Sequence, residues 1–393
     1  MAVIYACGFE VNGSFANDSG EPGVVTGSTL TYSSTHARTG SLSLLVDAGS
    51  GTSSSATITA LAGVWMHFGF FIDTGIGLPS AARTIAGATG AGNLSLRLNT
   101  SGTLSVMSGT SVVGSSTVAL VAGQWYWIGF ANRANATNAV LLQIDGVDQV
   151  TGSLSGLTTA GVIGAPGGEA AGIKAWFDDV IGDDAGLLQP SKVALLSPIS
   201  DNARATLWTG GTGGTTNLFD AVNNTPPIGT ATETNLTQIE HAGNASGTTD
   251  AYDANMTTYA SAGIGASDTV LAIDFGIVHG EDVTTGSKLL AMGIASNPTV
   301  ANTASFTVGA DSGALGTYPT NWRMSWRSDL VGGGGVVQSP SVTIANSPVM
   351  RVTRPETASR VASVCFMGMY VAWTPSAVTQ VPYYQPYPQI LSQ

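Results

Sequence analysis

Between Gly123 and Gly152 the chain reads GQWYWIGFANRANATNAVLLQIDGVDQVTG, and this stretch constrains the fold more than any other. It holds two strand-like runs, Trp125–Phe130 and Ala139–Asp145, joined by the polar connection Ala131–Asn138. In the first run Trp125, Trp127 and Gly129 alternate with Tyr126, Ile128 and Phe130, so both faces are apolar. A strand of that kind needs cover on each side, from a packed sheet on one and a sheet or loop on the other. The second run ends in Asp145-Gly146, a turn pair whose glycine tolerates positive φ, after which Val147, Gln149 and Val150 resume an extended pattern. The stretch predicts the core hairpin of a β-sandwich.

The residues before it supply partners. Ala2–Phe9, Ser28–Tyr32, Ser41–Val46, Ala56–Leu61, Val64–Ile72, Arg83–Ala86, Leu94–Leu98, Thr103–Met107 and Gly114–Val121 all read as strands separated by Gly-rich turns. In Val64–Ile72, Trp65, His67, Gly69 and Phe71 share one face, with Phe68 and Phe70 on the other. Charged residues make up only 10% of the chain, too few for long helices laced with ion pairs, whereas 51 glycines suit short strands and tight turns. With 43% hydrophobic residues, a buried core is expected and wholesale disorder is not. The length of 393 residues suggests more than one domain.

The motif GQWYWIGF…LLQIDGV resembles the laminin-G/concanavalin A-like jelly-roll family, in which a tryptophan-led strand precedes a strand ending in Asp-Gly. Ala175-Trp176-Phe177-Asp178-Asp179-Val180 is similar to that family's last strand. Ser34-Thr35-His36-Ala37-Arg38-Thr39-Gly40 resembles its turn before a core strand. The resemblance implies an all-β chain: a jelly-roll sandwich over residues 1–185, a linker at about 183–192 where Pro190 interrupts pairing, and a second β-sandwich over 193–375. In the second half the order Pro198, Asp201, Trp208, Leu218-Phe219-Asp220-Ala221-Val222, Tyr259 and Asp268 to Phe275 is similar to a domain found in structural proteins of tailed bacteriophage particles. Further strands are expected at Lys288–Ile294, Ala304–Val308, Val336–Val342 and Val349–Arg354, with Arg360–Trp373 closing the domain and Val361–Val371 as a central strand. Met324–Trp326 and the Gly332–Gly335 run are expected to flank an exposed loop. Residues 376–393, with Tyr383, Tyr384 and Tyr387 among prolines, read as an extended docking tail.

Chemistry-bearing motifs are few. His36, His67, His241 and His279 show no metal-ligand spacing, and no nucleophile elbow, zinc-protease motif or P-loop is present. Cys7 and Cys365 lie near opposite ends and read as free thiols. The acidic pairs Asp178-Asp179 and Asp183-Asp184 have two readings, a structural Ca²⁺ site of hard oxygen ligands and ordinary turn carboxylates. No other cofactor is expected. As glycosidase carboxylates, neighbours on one strand are expected to point to opposite faces, which argues against catalysis. The tryptophans read as core or as sugar-stacking platforms. Trp322, Arg323, Trp326 and Arg327 combine residue types enriched at interfaces and read as partner-binding or as buried core, and Tyr383, Tyr384 and Tyr387 read as partner-binding, with packing on their own domain as the alternative.

The formal net charge of −12, with no Lys/Arg cluster, argues against nucleic acid and against an anionic membrane surface. The start Met-Ala-Val-Ile-Tyr lacks the pattern of a secretory signal, and no apolar run reaches the roughly 18 residues of a membrane span. The expected function is a non-enzymatic structural component of a tailed-phage virion, made in the host cytoplasm and displayed as a decoration, fibre or minor tail protein. Its expected partners are other virion proteins, further copies of itself and host-surface glycan. The rival readings are a carbohydrate-binding adhesin and a glycan depolymerase.

Overall fold

A computed structural model of the chain describes residues 3–10, 30–58, 61–133, 139–154, 160–204, 208–210, 217–223, 239–241, 250–281, 288–294, 306–308, 323–328, 348–354 and 362–376. The expected strand Val336–Val342, the residue Trp322 and the tail with Tyr383, Tyr384 and Tyr387 lie outside the described residues.

The first half contributes β1 (Val3–Cys7), β2 (Leu30–Ser33), β3 (Ser43–Ala48), β4 (Ser54–Thr57), β5 (Trp65–Ile72), β6 (Arg83–Gly87) and β7 (Leu94–Leu98). It continues with β8 (Thr103–Ser108), β9 (Ser111–Ala119), β10 (Trp125–Ala131), β11 (Ala139–Ile144), β12 (Val147–Gly152), β13 (Val162–Ala165) and β14 (Ile173–Asp183). An eight-stranded sheet runs β12-β11-β10-β5-β14-β3-β2, with β1 added to β14, and a six-stranded sheet runs β4-β13-β6-β7-β8-β9. The core between them takes one residue in two from each strand: Phe68, Phe70, Tyr126, Ile128, Phe130 and Phe177 from the larger sheet, Leu94, Leu96, Leu98, Leu104 and Val106 from the smaller. The expected alternation in β5 and β10 is therefore realised. So is the hairpin turn: Ile144 pairs with Val147, and Asp145 (φ 51°) and Gly146 (φ 77°) both occupy the left-handed region that a two-residue type I′ turn requires.

The second half forms β15 (Lys192–Leu196), β16 (Pro198–Arg204), β17 (Trp208–Gly210), the short helix α1 (Phe219–Val222), β18 (Ile239–His241), β19 (Asp250–Met256) and β20 (Thr269–Glu281). Then follow β21 (Lys288–Ile294), β22 (Phe306–Val308), β23 (Arg323–Ser328), β24 (Val349–Arg354) and β25 (Ala362–Thr374). One sheet is ordered β17-β18-β25-β20-β23, with β15 also on β25, and the other β16-β19-β24-β21-β22. The long apolar strand β25 is central, flanked by β20 on one side and by β15 and β18 on the other. Trp208, Tyr252, Phe275, Met350 and Trp373 fill the core of this half. The chain is thus all-β, two sandwiches in succession. Met324–Trp326, expected to flank a loop, lies within β23, which pairs with β20.

A third apolar cluster joins the halves. Val3, Ala6, Trp127, Ile181 and Leu188 from the first pack with Val193, Val278, Phe366 and Tyr370 from the second. The Ala6 N–H donates to Asp274 Oδ2 at 3.1 Å across the same contact.

Candidate functional site

The outer face of the eight-stranded sheet is built in rows, because β5 is paired antiparallel with β10 in unbroken register and with β14 on its other side, where one shift falls between Asp178 and Ile181. One row is Gly129, His67 and Ile181; the next is Trp127, Gly69 and Asp178; the next is Trp125, Phe71 and Trp176, continued by Leu45 on β3. Even a chain with no distinctive motif would place these side chains side by side, since residues two apart on a strand share a face.

The first two rows are covered by the chain itself. His67 is fully buried; its Nε2 accepts from the Leu188 N–H at 2.9 Å, so Nδ1 carries the proton and donates to the Ile181 carbonyl at 3.2 Å. Burial pushes the His67 imidazole down to about 4 from its ordinary 6.5. Trp127 stacks on His67 with centroids 5.9 Å apart and donates its indole N–H to the Leu188 carbonyl at 3.3 Å. Arg38 lies over Trp127, its guanidinium carbon 5.0 Å from the ring centroid. Gly69 makes this possible, since a Cβ there would come within 2.7 Å of Arg38 Cδ.

Arg38 is held by two adjacent carboxylates. Its Nη1 donates to Asp179 Oδ2 and to the Ser191 carbonyl, each at 2.6 Å, while its backbone N–H donates to Asp178 Oδ2 at 2.7 Å. Thr39 repeats the pattern, with its N–H on Asp178 and its hydroxyl on Asp179. The remaining Asp179 oxygen accepts from the Val193 N–H at 2.7 Å, which ties the start of β15 to the first sandwich. Sequence alternation put these two neighbours on opposite faces. The structure brings both to the loop around Arg38, because the pairing of β14 with β5 slips between Asp178 and Ile181 and Asp179 adopts φ 49°. This is a β-bulge that re-aims one side chain. Both carboxyls are fully buried, and burial pushes both above the ordinary carboxylate range. The neighbouring carboxylate raises Asp178 further, whereas Arg38 pulls Asp179 back down.

The four carboxylates considered for Ca²⁺ are therefore not gathered at one point. Asp178 and Asp179 take N–H and O–H donors from the chain. Asp183 closes the end of β14 by accepting from Ala185 and Gly186 N–H groups, and Asp184 is exposed. Among the described residues no group of three or more His, Cys, Asp or Glu side chains could hold a metal ion. Arg323, Trp326 and Arg327 sit on β23 at an edge of the second half's sheet, in register with His279, Gly276 and Phe275, and are far in sequence and sheet from the face just described.

The third row differs from the other two. Phe71 and Trp176 are buried, Trp125 is half-buried, and the cover is the half-buried His36. His36 stacks on Phe71 (centroids 4.3 Å, 23° between planes) and meets Trp176 edge-on at 4.5 Å. Phe71 lies 5.4 Å from Trp125 and 5.7 Å from Trp176. A charged row borders it: Lys174 Nζ is 3.9 Å from Asp73 Oδ2, 5.7 Å from the Trp176 ring, and one pairing step from Asp47. Trp176 Nε1 is buried without a hydrogen-bond partner among the described residues, an exception in a native interior. Phe71 was legible as an outward residue of β5, and Trp125 as one of β10. Their alignment with Trp176 was not, because register between strands this far apart in sequence is a tertiary property.

No protein-family model matches the chain, and no curated protein sequence matches it. Among solved structures it is similar to the cellulose induced protein Cip1, at 16% identity over 41% of this chain and 89% of that one, with a TM-score of 0.33. It is also similar to the Trypanosoma rangeli sialidase in complex with sialic acid, at 15% identity over 47% of this chain and a TM-score of 0.33; the match spans 31% of that chain. A third is the N-terminal CBM22-1-CBM22-2 tandem domain from Paenibacillus barcinonensis Xyn10C, at 8% identity over 94% of this chain and 97% of that one, with a TM-score of 0.24.

Proposed function

We propose that this protein is a non-enzymatic carbohydrate-binding and assembly protein, and that it works as a surface component of a tailed-phage particle. The observation that carries the glycan reading is the row Trp125–Phe71–Trp176 with His36 stacked on it. Sugar rings present an apolar C–H face to an aromatic ring and hydroxyls at their rim. Sites for them pair an apolar floor with a few placed polar groups. Trp125 supplies an accessible edge of the floor, and Lys174 and Asp73 supply donors and acceptors beside it. At about 4.8 Å between strands the row is about 10 Å long, with His36 lying over Phe71 and Trp176 and Trp125 left as its accessible end. The particle setting is supported by the likeness of the second half's Pro198 to Phe275 pattern to phage structural proteins. The non-enzymatic reading is supported by the engagement of Asp178 and Asp179 with Arg38, Thr39 and Val193, which leaves neither carboxyl facing a cleft.

The test is titration of the full chain with a panel of neutral and acidic oligosaccharides, followed by tryptophan fluorescence, and repeated with Trp125→Ala. At least one class is expected to bind saturably and to lose about tenfold or more in affinity in the variant. Binding that is untouched by Trp125→Ala removes the row as the site, and release of reducing sugar ends the non-enzymatic reading. Immunogold labelling of purified particles tests the setting separately.

A further inference from the structure

Residues 74–144 contain no Asp, Glu or Lys, in a chain with 25 acidic residues and a net charge of −12. They supply strands β6 to β11, and their charged residues are Arg83, Arg97 and Arg133. Two of these are occupied. Arg83 is fully buried and donates to the carbonyls of Thr52, Glu169 and Ala171. Arg133 lies over Trp65 and donates to the Asp184 carbonyl. Arg97 differs from both. Leu96 and Leu98 on either side of it enter the core, so Arg97 stands on the outer face of the six-stranded sheet. It is half-buried, and its Nε is covered without a hydrogen-bond partner, which leaves the two Nη groups as its accessible end. Ion pairs among the described residues go to Arg38, Arg83, Lys174 and Arg351, and none goes to Arg97.

We infer that Arg97 anchors a binding surface for an acidic oligosaccharide, whose uronate carboxylate it pairs with. Thr84, Arg97, Ser105 and Ser115 stand side by side across β6, β7, β8 and β9. Asn99, two residues along β7, donates to Thr103 Oγ1 at 3.0 Å and to Ser105 Oγ at 2.8 Å, and the Ser105 and Ser115 hydroxyls are 2.7 Å apart. The line of hydroxyls is thereby fixed, and it ends at the exposed Ser115. Guanidinium groups bind carboxylates through paired N–H donors, and the acids bordering this face are engaged elsewhere. Glu169 takes the Thr84 N–H and hydroxyl and lies 3.6 Å from Arg83 Nε. Asp148 accepts from Gln143 Nε2, on the other sheet, at 2.6 Å. The charge pattern suits an anionic ligand, because the rest of the chain repels one and this stretch does not. Hydroxyl and amide groups beside the cation suit a polyhydroxylated ligand. Protein interfaces centre on large aromatic or apolar anchors, and Ser95, Arg97, Asn99, Thr103 and Ser105 include none. Nucleic acid needs many basic contacts, and this face offers one. The surface lies on the opposite side of the sandwich from Trp125, Phe71 and Trp176, so it stands independently of that row.

The experiment is calorimetric titration of the full chain with a uronic acid oligosaccharide, and with the same oligosaccharide after its carboxyl groups are reduced to alcohols. Saturable binding of the acid form is expected, about tenfold or more tighter than that of the reduced form. Arg97→Gln, with an unchanged circular dichroism spectrum, should lose about tenfold or more toward the acid form, and Arg97→Lys, which keeps the charge without the planar fork, should fall between. Trp125→Ala should leave this binding alone, so the two surfaces stand or fall separately: the reduced, neutral form reports on the aromatic row and the acid form on Arg97. Absence of saturable binding by the acid form overturns the inference. So does an Arg97→Gln chain, folded by its spectrum, that binds the acid form as tightly as the parent. A polyglutamate peptide that binds as tightly as the uronate, and loses its affinity in Arg97→Gln, overturns the saccharide assignment. If Arg97→Gln does not fold, Ser115→Asp, which sets a carboxylate at the exposed end of the row, takes its place, and parent-like affinity in that variant overturns the inference as well.

Discussion

Trp127 and Trp125 stand two residues apart on β10, point from the same face of the same sheet, and live in different surroundings. Trp127 is stacked on His67, hydrogen-bonded by its indole to Leu188, overlain by Arg38 and packed against the second half of the chain. Trp125 is half-buried beside Phe71, and no hydrogen bond of its side chain is among those described. The difference lies in what crosses the sheet above each row. Residues 187–193 and the Asp178–Asp179 bulge bring cover to one end, and a single loop with His36 brings it to the other. The aromatic content of a sheet face therefore does not say whether it is core or platform; the cover decides.

The sharpest way to break the comparison is at Asp179. It is fully buried, and it joins the Arg38 loop to the first strand of the second half. Asp179→Asn keeps a residue type that tolerates the left-handed backbone at this bulge, so the substitution removes charge with little strain. Breaking a buried ion pair from one side costs about 3–5 kcal/mol. Chemical denaturation should show a loss of that order and lose the first cooperative contact between halves, whereas the aromatic row keeps its ligand. A loss below about 1 kcal/mol, the range of a surface pair, would mean that the carboxylate is not holding the cover in place.

The covered end should also respond to pH, with a sign fixed by His67. Its folded value of about 4 lies below the ordinary 6.5, so the unfolded chain binds the proton more readily. The neutral imidazole's stabilisation is fully present above about pH 6.5 and is lost as pH falls toward 4, by about 3 kcal/mol. Asp178 and Asp179 act in the opposite sense. Their raised values make a contribution that is present below the ordinary carboxylate range and lost as pH rises through the folded values. His67→Gln, which keeps an acceptor for the Leu188 N–H, removes only the first slope. The stability gap between parent and variant should therefore widen from pH 4 to pH 7. A constant gap would place the pH dependence elsewhere.

How much of this was legible in the chain depends on distance along it. The hairpin from Trp125 to Gly152 was readable because alternation and an Asp-Gly turn are local signals, and the two faces of Val64–Ile72 were readable for the same reason. Val349–Arg354 appears with the bounds its apolar pattern suggested. The bulge at Asp179 gave no such signal. An aspartate at positive φ looks like any strand aspartate in sequence, so its carboxylate was assigned to the wrong face. The partnership of Arg38 with Asp179 spans 141 positions, and that of His67 with Leu188 spans 121. Each follows from tertiary packing that no periodicity encodes. The aromatic row needed the register of three strands that lie far apart in sequence.

The smallest expected effect is on the stability of the open end. Trp125 is half-buried, and its side chain meets Phe71. Trp125→Ala removes that aromatic contact and some apolar burial, and most substitutions at such positions cost about 1 kcal/mol. Trp127→Ala, by contrast, opens a cavity beneath Arg38, orphans the Leu188 carbonyl and should cost about 3–5 kcal/mol. Measured side by side in denaturant, the two alanine variants should differ several-fold in free energy, although they sit on one strand and one face. The outcome that matters is the pairing of readouts. Trp125→Ala should keep the fold and lose the sugar, and Trp127→Ala should lose stability first. Equal destabilisation by the two would mean that Trp125 is core after all, and the row would then be packing with an exposed rim, with no vacancy for a ligand to fill.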